Sequence, residues 1–167
     1  MQNYLILIDG PKGSGKSTLS ELLRKNLANT EFFSIDGERK LSEKSGDRDA
    51  DNKKAFVTIV EKLASVFEQK KNAVLDSAVF DDRLGMLEGI SKKYGVNLHK
   101  FSLTALPETL RTRVKEREEA KGNRFDSDRF DHTLKVVQNK SFEDFHVLDS
   151  SKLSPQEIFE IVYSKLV

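Results

Sequence analysis

Short runs of consecutive apolar residues alternate along this chain with longer segments in which apolar residues recur every third or fourth position. A continuous apolar run suits a strand buried on both faces, whereas the 3.6-residue recurrence suits a helix that lays one stripe on a core. Strands are predicted at about 3–9, around Tyr4-Leu-Ile-Leu-Ile8; at Phe32-Phe-Ser-Ile35, ending at Asp36; at Ala73-Val-Leu75, running into Asp76; near 98–104; and at Phe145-His-Val-Leu148. Between them, Leu19, Leu22, Leu23 and Leu27 predict one helix, and Phe56, Val60, Leu63 and Phe67 predict a long one over about 50–71. Leu84, Leu87 and Tyr94 mark a helix over about 81–94. Pro107 suits a first helical turn, where its missing N–H costs nothing, and Leu110 and Val114 carry that helix to about 120. Lys121-Gly122-Asn123 breaks it, and a second helix resumes near Ser127 with Phe130, Leu134 and Val137. The last helix opens at Ser154-Pro155-Gln156-Glu157, where Ser154 caps and Glu157 closes a box back onto the cap, and Ile158, Ile161 and Val162 dock it. The charge-rich stretch from Gly37 to Asn52 is expected to be loop and short helix. Strand and helix thus alternate throughout, which predicts an α/β domain of three layers: a five-stranded parallel sheet with helices on both faces and ligands beyond the strands' carboxyl ends.

Composition narrows the chemistry. A chain of 167 residues suits one compact domain, 1–167, and its 33% charged and 37% hydrophobic residues are ordinary for a folded one. The formal net charge of +1 lacks the basic excess usual in proteins that wrap long nucleic acid. With no cysteine, disulfides, thiolate catalysis and zinc held through sulfur are excluded. His99, His132 and His146 lie far apart in sequence and read as surface or satisfied core residues rather than metal ligands. No signal peptide and no apolar run of membrane-spanning length is visible, so the expected location is the cytoplasm.

Directly after the first strand, Gly10-Pro-Lys-Gly-Ser-Gly15-Lys16-Ser17-Thr18 satisfies G-x-x-x-x-G-K-[ST] at every fixed position, ahead of a helix. A polyphosphate packs several negative charges into a small volume and needs many converging N–H donors, which a glycine-rich loop lets the backbone supply at close range. Gly10, Lys12, Gly13, Ser14 and Gly15 would form the cradle. The helix then offers its unpaired N–H groups and positive dipole end at Lys16, Ser17 and Thr18. Lys16 would reach the β- and γ-phosphates, and the Ser17 hydroxyl would ligate Mg²⁺.

A guanine-reading Asn-Lys-x-Asp is missing: Asn52-Lys53-Lys54-Ala55 and Asn139-Lys140-Ser141-Phe142 both lack the aspartate. Asp82-Arg-Leu-Gly85 has a switch-like spacing but falls in a predicted helix, where it reads as surface. Phosphoryl transfer to a hydroxyl would need a base, an anchor for the acceptor, and cations for charge spreading over the moving phosphoryl group. Asp36, at the end of the second strand, can take the hydroxyl proton, and Arg39, three residues on, can anchor an acceptor's anionic group if the chain turns helical. Arg111, Arg113, Arg117, Lys121, Arg124 and Arg129 cross the helix–break–helix, with Arg113 and Arg117 on one helix face. Interspersed acidic residues make most of that tract a solvated surface, with two or three arginines expected to act. Asp76 ends the third strand beside the first, where it can organise Mg²⁺ or orient the acceptor, and Asp9 precedes the loop with no role assigned by the sequence.

Together, Gly10 to Thr18, Asp36-x-x-Arg39, Asp76 and the Arg113/Arg117 pair resemble the polynucleotide kinase branch of the P-loop kinases, in order and spacing over most of the chain. The resemblance implies the P-loop NTPase fold with a helical lid, at about 113–130, and an ATP- and Mg²⁺-dependent transfer of the γ-phosphate. It also implies Asp36 as general base, Arg39 on the acceptor phosphate, and Arg113 and Arg117 on the donor phosphates. A nucleic acid 5′-hydroxyl is slightly favoured as acceptor; a nucleotide or small molecule is the alternative, since related kinases of the same plan, zeta-toxin-like and chloramphenicol phosphotransferase-like enzymes, act on nucleotide sugars or small alcohols. A different class, an ATP-binding regulatory module without transfer, is the alternative. The adenine pocket is expected between a lid arginine and Asp149 to Lys152.

Overall fold

A computed structural model describes residues 2–79, 82–140 and 143–166. Its sheet contains β1 (Tyr4–Asp9), β2 (Thr30–Ser34), β3 (Asn72–Asp76), β4 (Asn97–Thr104) and β5 (His146–Asp149), all parallel, in the order β2-β3-β1-β4-β5. Helices α1 (Lys16–Asn26), α2 (Ile35–Lys40), α3 (Arg48–Glu68), α4 (Arg83–Tyr94), α5 (Pro107–Ala120) and α6 (Ser127–Gln138) fill the connections, and α7 (Pro155–Ser164) follows the last strand.

The apolar run of β1 explains the three layers. Successive side chains of a strand point to opposite faces, and Leu5 through Ile8 are all fully buried. Leu5 and Leu7 pack with Phe56, Ile59 and Leu63 of α3 and Leu87 of α4, whereas Ile6 and Ile8 pack with Leu19 and Leu23 of α1 and Ile158 and Val162 of α7. Each such side chain contributes roughly 1.5–3 kcal/mol on full burial, so one short run ties both helical layers to the sheet. A third, smaller cluster of Leu110, Val114 and Phe130 joins α5 to α6 across their break. Among the described residues no helix is long and apolar enough to cross a membrane.

Local chemistry sets the boundaries. The capping box at Ser154 and Glu157 is formed, and Asp47 and Asp126 cap α3 and α6 by accepting from backbone N–H groups. The predicted end of β2 at Asp36 is corrected to Ser34, whose hydroxyl accepts from Gly37 N at 3.0 Å and turns the chain into α2. Asp36 therefore lies in a first helical turn rather than on a strand. The long helix α3 starts and stops two to three residues earlier than its apolar stripe implied, because Asp47 caps it and Lys70 takes a left-handed φ of 55° ahead of β3. β5 runs one residue later than predicted, His146–Asp149. Asp81, the first residue of the predicted 81–94 helix, lies outside the described residues, as do Ser141 and Phe142.

Candidate active site

Strand register places the candidate groups side by side. Ser34 pairs with Asp76, and Asp76 with Ile8, so Asp36, Asp76 and the loop after Asp9 emerge together at the carboxyl edge of three adjacent strands. The loop's close packing demands glycine at two positions. A Cβ on Gly10, whose φ is 146°, would stand 2.4 Å from the Leu103 carbonyl oxygen. One on Gly13, at φ 81°, would meet Leu110 O at 3.1 Å and Val114 Cγ2 at 3.0 Å. Ser14 is fully buried, its hydroxyl without a partner among the described residues. Thr18 lines the cleft from the first turn of α1.

Lys16 Nζ donates to Gly10 O at 2.9 Å and Pro11 O at 3.2 Å, so its ammonium sits within the loop's curve. Burial pulls its pKa down, and the carboxylates of Asp76, Asp9 and Asp36 pull it back up. Ser17 Oγ donates to Asp76 Oδ2 at 3.2 Å. Burial raises the Asp76 pKa, against the opposing pull of Lys16 and of the Ser17 hydrogen bond. Among the described residues no group of three or more His, Asp or Glu side chains could hold a metal unaided. The Ser17–Asp76 pair nevertheless fits Mg²⁺, which keeps several waters and takes few protein oxygens when substrate phosphates complete its octahedron.

On the other side of the cleft, Arg39 Nη2 donates to Asp36 Oδ1 at 2.9 Å and its Nη1 to Asn52 Oδ1 at 3.1 Å. The helical turn thus brings Asp36 and Arg39 together, with the Asp36 carboxylate 69% exposed and open to the cleft. Their platform is anchored by Glu38, buried between them in sequence, whose two carboxylate oxygens each accept from Lys62 Nζ at 2.8 Å. That anchor gave no local sign in the sequence, because its members are 24 positions apart.

The arginines of α5 divide. Arg113 Nη1 donates to Gly13 O at 3.1 Å and Ser150 Oγ at 2.9 Å, and Nη2 to Ser150 O at 2.9 Å, so this guanidinium ties the phosphate loop to the β5–α7 connection. It lines the cleft with its guanidinium already engaged by protein. Arg117, one turn on, is exposed and lines the cleft with Lys12. Arg111 serves the α5–α6 junction, bonding Ser127 and Asp131 and lying over Phe130. Sequence reasoning left Asp9 without a role. It is 1% exposed, and its Oδ1 accepts from Val79 N at 2.8 Å and Lys140 Nζ at 2.9 Å, joining the base of the loop to the segment after Asp76 and to the end of α6.

The phosphate loop, Lys16, Ser17, Asp36, Arg39, Asp76, Arg113 and Arg117 border one cleft of about 1440 Å³. Single small-ligand pockets run to about 300–1,000 Å³, so the cleft has room for two substrates. Twelve lysines and arginines line it against five aspartates and glutamates among the described residues, although the whole chain carries only +1.

A family model described as an AAA domain matches residues 5–139. The chain resembles a protein of Chloroflexus aurantiacus provisionally assigned as a kinase, at 15% identity over 98% of both chains with a TM-score of 0.75. It resembles a gluconokinase of Sinorhizobium meliloti at 20% identity, over 98% of this chain and 91% of that one, with a TM-score of 0.67. A chain of the Pnkp1/Rnl/Hen1 RNA repair complex shares 17% identity over 82% of this chain and 44% of its own length, with a TM-score of 0.63. At such identities the likeness speaks for the fold. No curated protein sequence matches the chain.

Proposed function

The chain belongs to the AAA domain family, with a P-loop kinase-like fold, and from that premise we propose that it is an ATP- and Mg²⁺-dependent phosphotransferase acting on a hydroxyl. The observation that carries this reading is the facing of two half-sites across one cleft. The loop, Lys16 and Ser17 stand on one side, and the exposed Asp36 carboxylate braced by Arg39 on the other. A switch or a scaffold needs the first half alone.

In the proposed reaction Gly10, Lys12, Gly13, Ser14, Gly15 and Thr18 frame the nucleotide, and Lys16 exchanges its carbonyl partners for β- and γ-phosphate oxygens. Ser17 and Asp76 would hold Mg²⁺, which neutralises charge on the phosphates when bound. Asp36 accepts the acceptor's hydroxyl proton as that oxygen attacks the γ-phosphorus. The bond from phosphorus to the β–γ bridging oxygen breaks, leaving ADP. Arg117, on a lid over about 113–130, meets the transferring charge, and Arg113 supports it from behind by fixing the loop against Ser150. A single kinase domain over 1–167, working in the cytoplasm where ATP is supplied, completes the reading.

Transfer of label from γ-labelled ATP tests it against 5′-hydroxyl DNA and RNA, nucleosides, nucleoside monophosphates, sugars and small alcohols. Label should appear on at least one acceptor. Tight ATP binding without transfer to any would favour a regulatory nucleotide-binding module.

A further inference from the structure

The planar fork of Arg39, the sequence's candidate anchor for an acceptor's anionic group, is shared between Asp36 and Asn52. Other cations nearby have no such engagement. Arg48 lies one helical turn before Asn52 on α3, so the two project from one face. Arg129 sits in the first turn of α6, and Lys12 at the outer side of the phosphate loop. All three are exposed, line the same cleft, and make no side-chain hydrogen bond or ion pair among the described residues.

They also sense one another. Partial burial lowers the Arg48 pKa, and Arg129 and then Arg39 push it further down; burial likewise lowers that of Lys12, reinforced by Arg48, Arg129 and Arg117. The cleft's acids are largely engaged elsewhere: Asp36 with Arg39, Asp76 with Ser17, Asp126 in capping α6, and Glu118 with Asn123. Asp36 and Asp49 offset the Arg48 charge in part. Like charges that converge without partners are unfavourable until an anion enters among them. The donor's phosphates do not fill this need, since the loop N–H groups, Lys16 and the start of α1 already receive them.

We propose that Arg48 and Arg129, with Lys12 at the seam, form a second anion subsite that binds a phosphate carried by the acceptor. The acceptor is then a phosphorylated molecule with a free hydroxyl, such as a nucleotide, a nucleic acid end or a sugar phosphate, rather than a neutral sugar or alcohol. This deepens the kinase reading and rests on it for the word acceptor; the subsite itself is a matter of binding.

The test therefore measures binding, by calorimetry, with the phosphate loop saturated by Mg²⁺ and a non-hydrolysable ATP analogue. The probes are inorganic phosphate, a nucleoside 3′-monophosphate beside its nucleoside, a short 3′-phosphorylated oligonucleotide, and a sugar phosphate beside its sugar. At least one phosphorylated probe should bind tenfold or more tighter than its uncharged counterpart, and which one does so identifies the source of the phosphate. Arg48→Gln and Arg129→Gln should each weaken that binding by about tenfold or more, the scale of a lost charge-assisted hydrogen bond, while the analogue's own affinity stays within twofold. Neither variant should melt lower than the wild type, because each relieves repulsion. Equal binding of phosphorylated and uncharged probes, no binding of any phosphorylated probe, or unchanged binding in both variants overturns the subsite. Binding that follows this pattern without any phosphoryl transfer leaves the subsite standing and overturns the kinase reading instead.

Discussion

Replacing Asp9 by alanine removes one carboxylate and disturbs three segments at once. Its Oδ1 accepts from Val79 N at 2.8 Å and from Lys140 Nζ at 2.9 Å, and Asp9 and Lys140 side chains are only 2% and 15% exposed. Removing one member of a buried ion pair costs about 3–5 kcal/mol, because the other charge keeps its desolvation cost and loses its compensation. Lys140 is slightly exposed and keeps a further interaction of its own, which places the expected loss at the lower end, near 3 kcal/mol. For a domain of this size each kcal/mol moves the melting temperature by about 2–4 °C, so Asp9→Ala should melt roughly 6–12 °C below wild type. Asp9→Asn retains an acceptor for Val79 N and should lose less. In the double variant Asp9→Asn/Lys140→Met neither charge remains, and such replacements are often close to neutral. Its loss should therefore be smaller than the sum of the two single losses by on the order of 1–3 kcal/mol. Urea denaturation followed by circular dichroism supplies all four stabilities of the cycle. Additive losses, or an Asp9→Ala loss below about 1 kcal/mol, would show that this pair does not hold the loop, the segment after Asp76 and the end of α6 together.

Asp76 links stability to function through the sign of its shift. Its pKa is raised in the folded chain by burial, even with Lys16 and Ser17 opposing, so its contribution to stability is present in acid and lost as pH rises through that raised value. Asp76→Asn should thus melt higher than wild type at neutral pH, with the gain vanishing in acid, while the proposed Mg²⁺-dependent activity falls; thermal melts across pH 3–8, a range spanning the ordinary carboxylate value of about 3.9, read the first effect. Gly10→Ala forces a Cβ to within 2.4 Å of Leu103 O at a φ of 146°, a strain of about 1–3 kcal/mol or more, and should lower both melting temperature and ATP affinity as measured by titration.

Periodic signals in the sequence carried well into the structure. Leu5 and Leu7 against Ile6 and Ile8 already imply two cores, and Pro107 and Ser154 each mark a helix start that the structure keeps. The phosphate loop was legible because its chemistry demands consecutive residues. Interactions between distant positions were not. Asp9 meets Lys140 across 131 positions and Glu38 meets Lys62 across 24, and neither spacing leaves a local pattern. Ser34 ended β2 through a side-chain acceptor that competes with strand pairing, a choice its apolar neighbours concealed. Arg113 and Arg117 share a helix face as their spacing predicted, yet a single turn decides that one meets Gly13 and Ser150 and the other faces the cleft. Arg48 lay in a charge-rich stretch read as loop and short helix, and only the cap at Asp47, which starts α3 there, gives it a fixed direction.

The proposed phosphoryl transfer depends on Asp36 receiving the acceptor's proton. Single-turnover transfer from γ-labelled ATP to whichever acceptor the wild type phosphorylates should slow by about 10²–10⁴-fold in Asp36→Asn, the usual contribution of a positioned base, with ATP affinity unchanged within about twofold. An Asp36→Asn protein that transfers phosphate at close to the wild-type rate would contradict it.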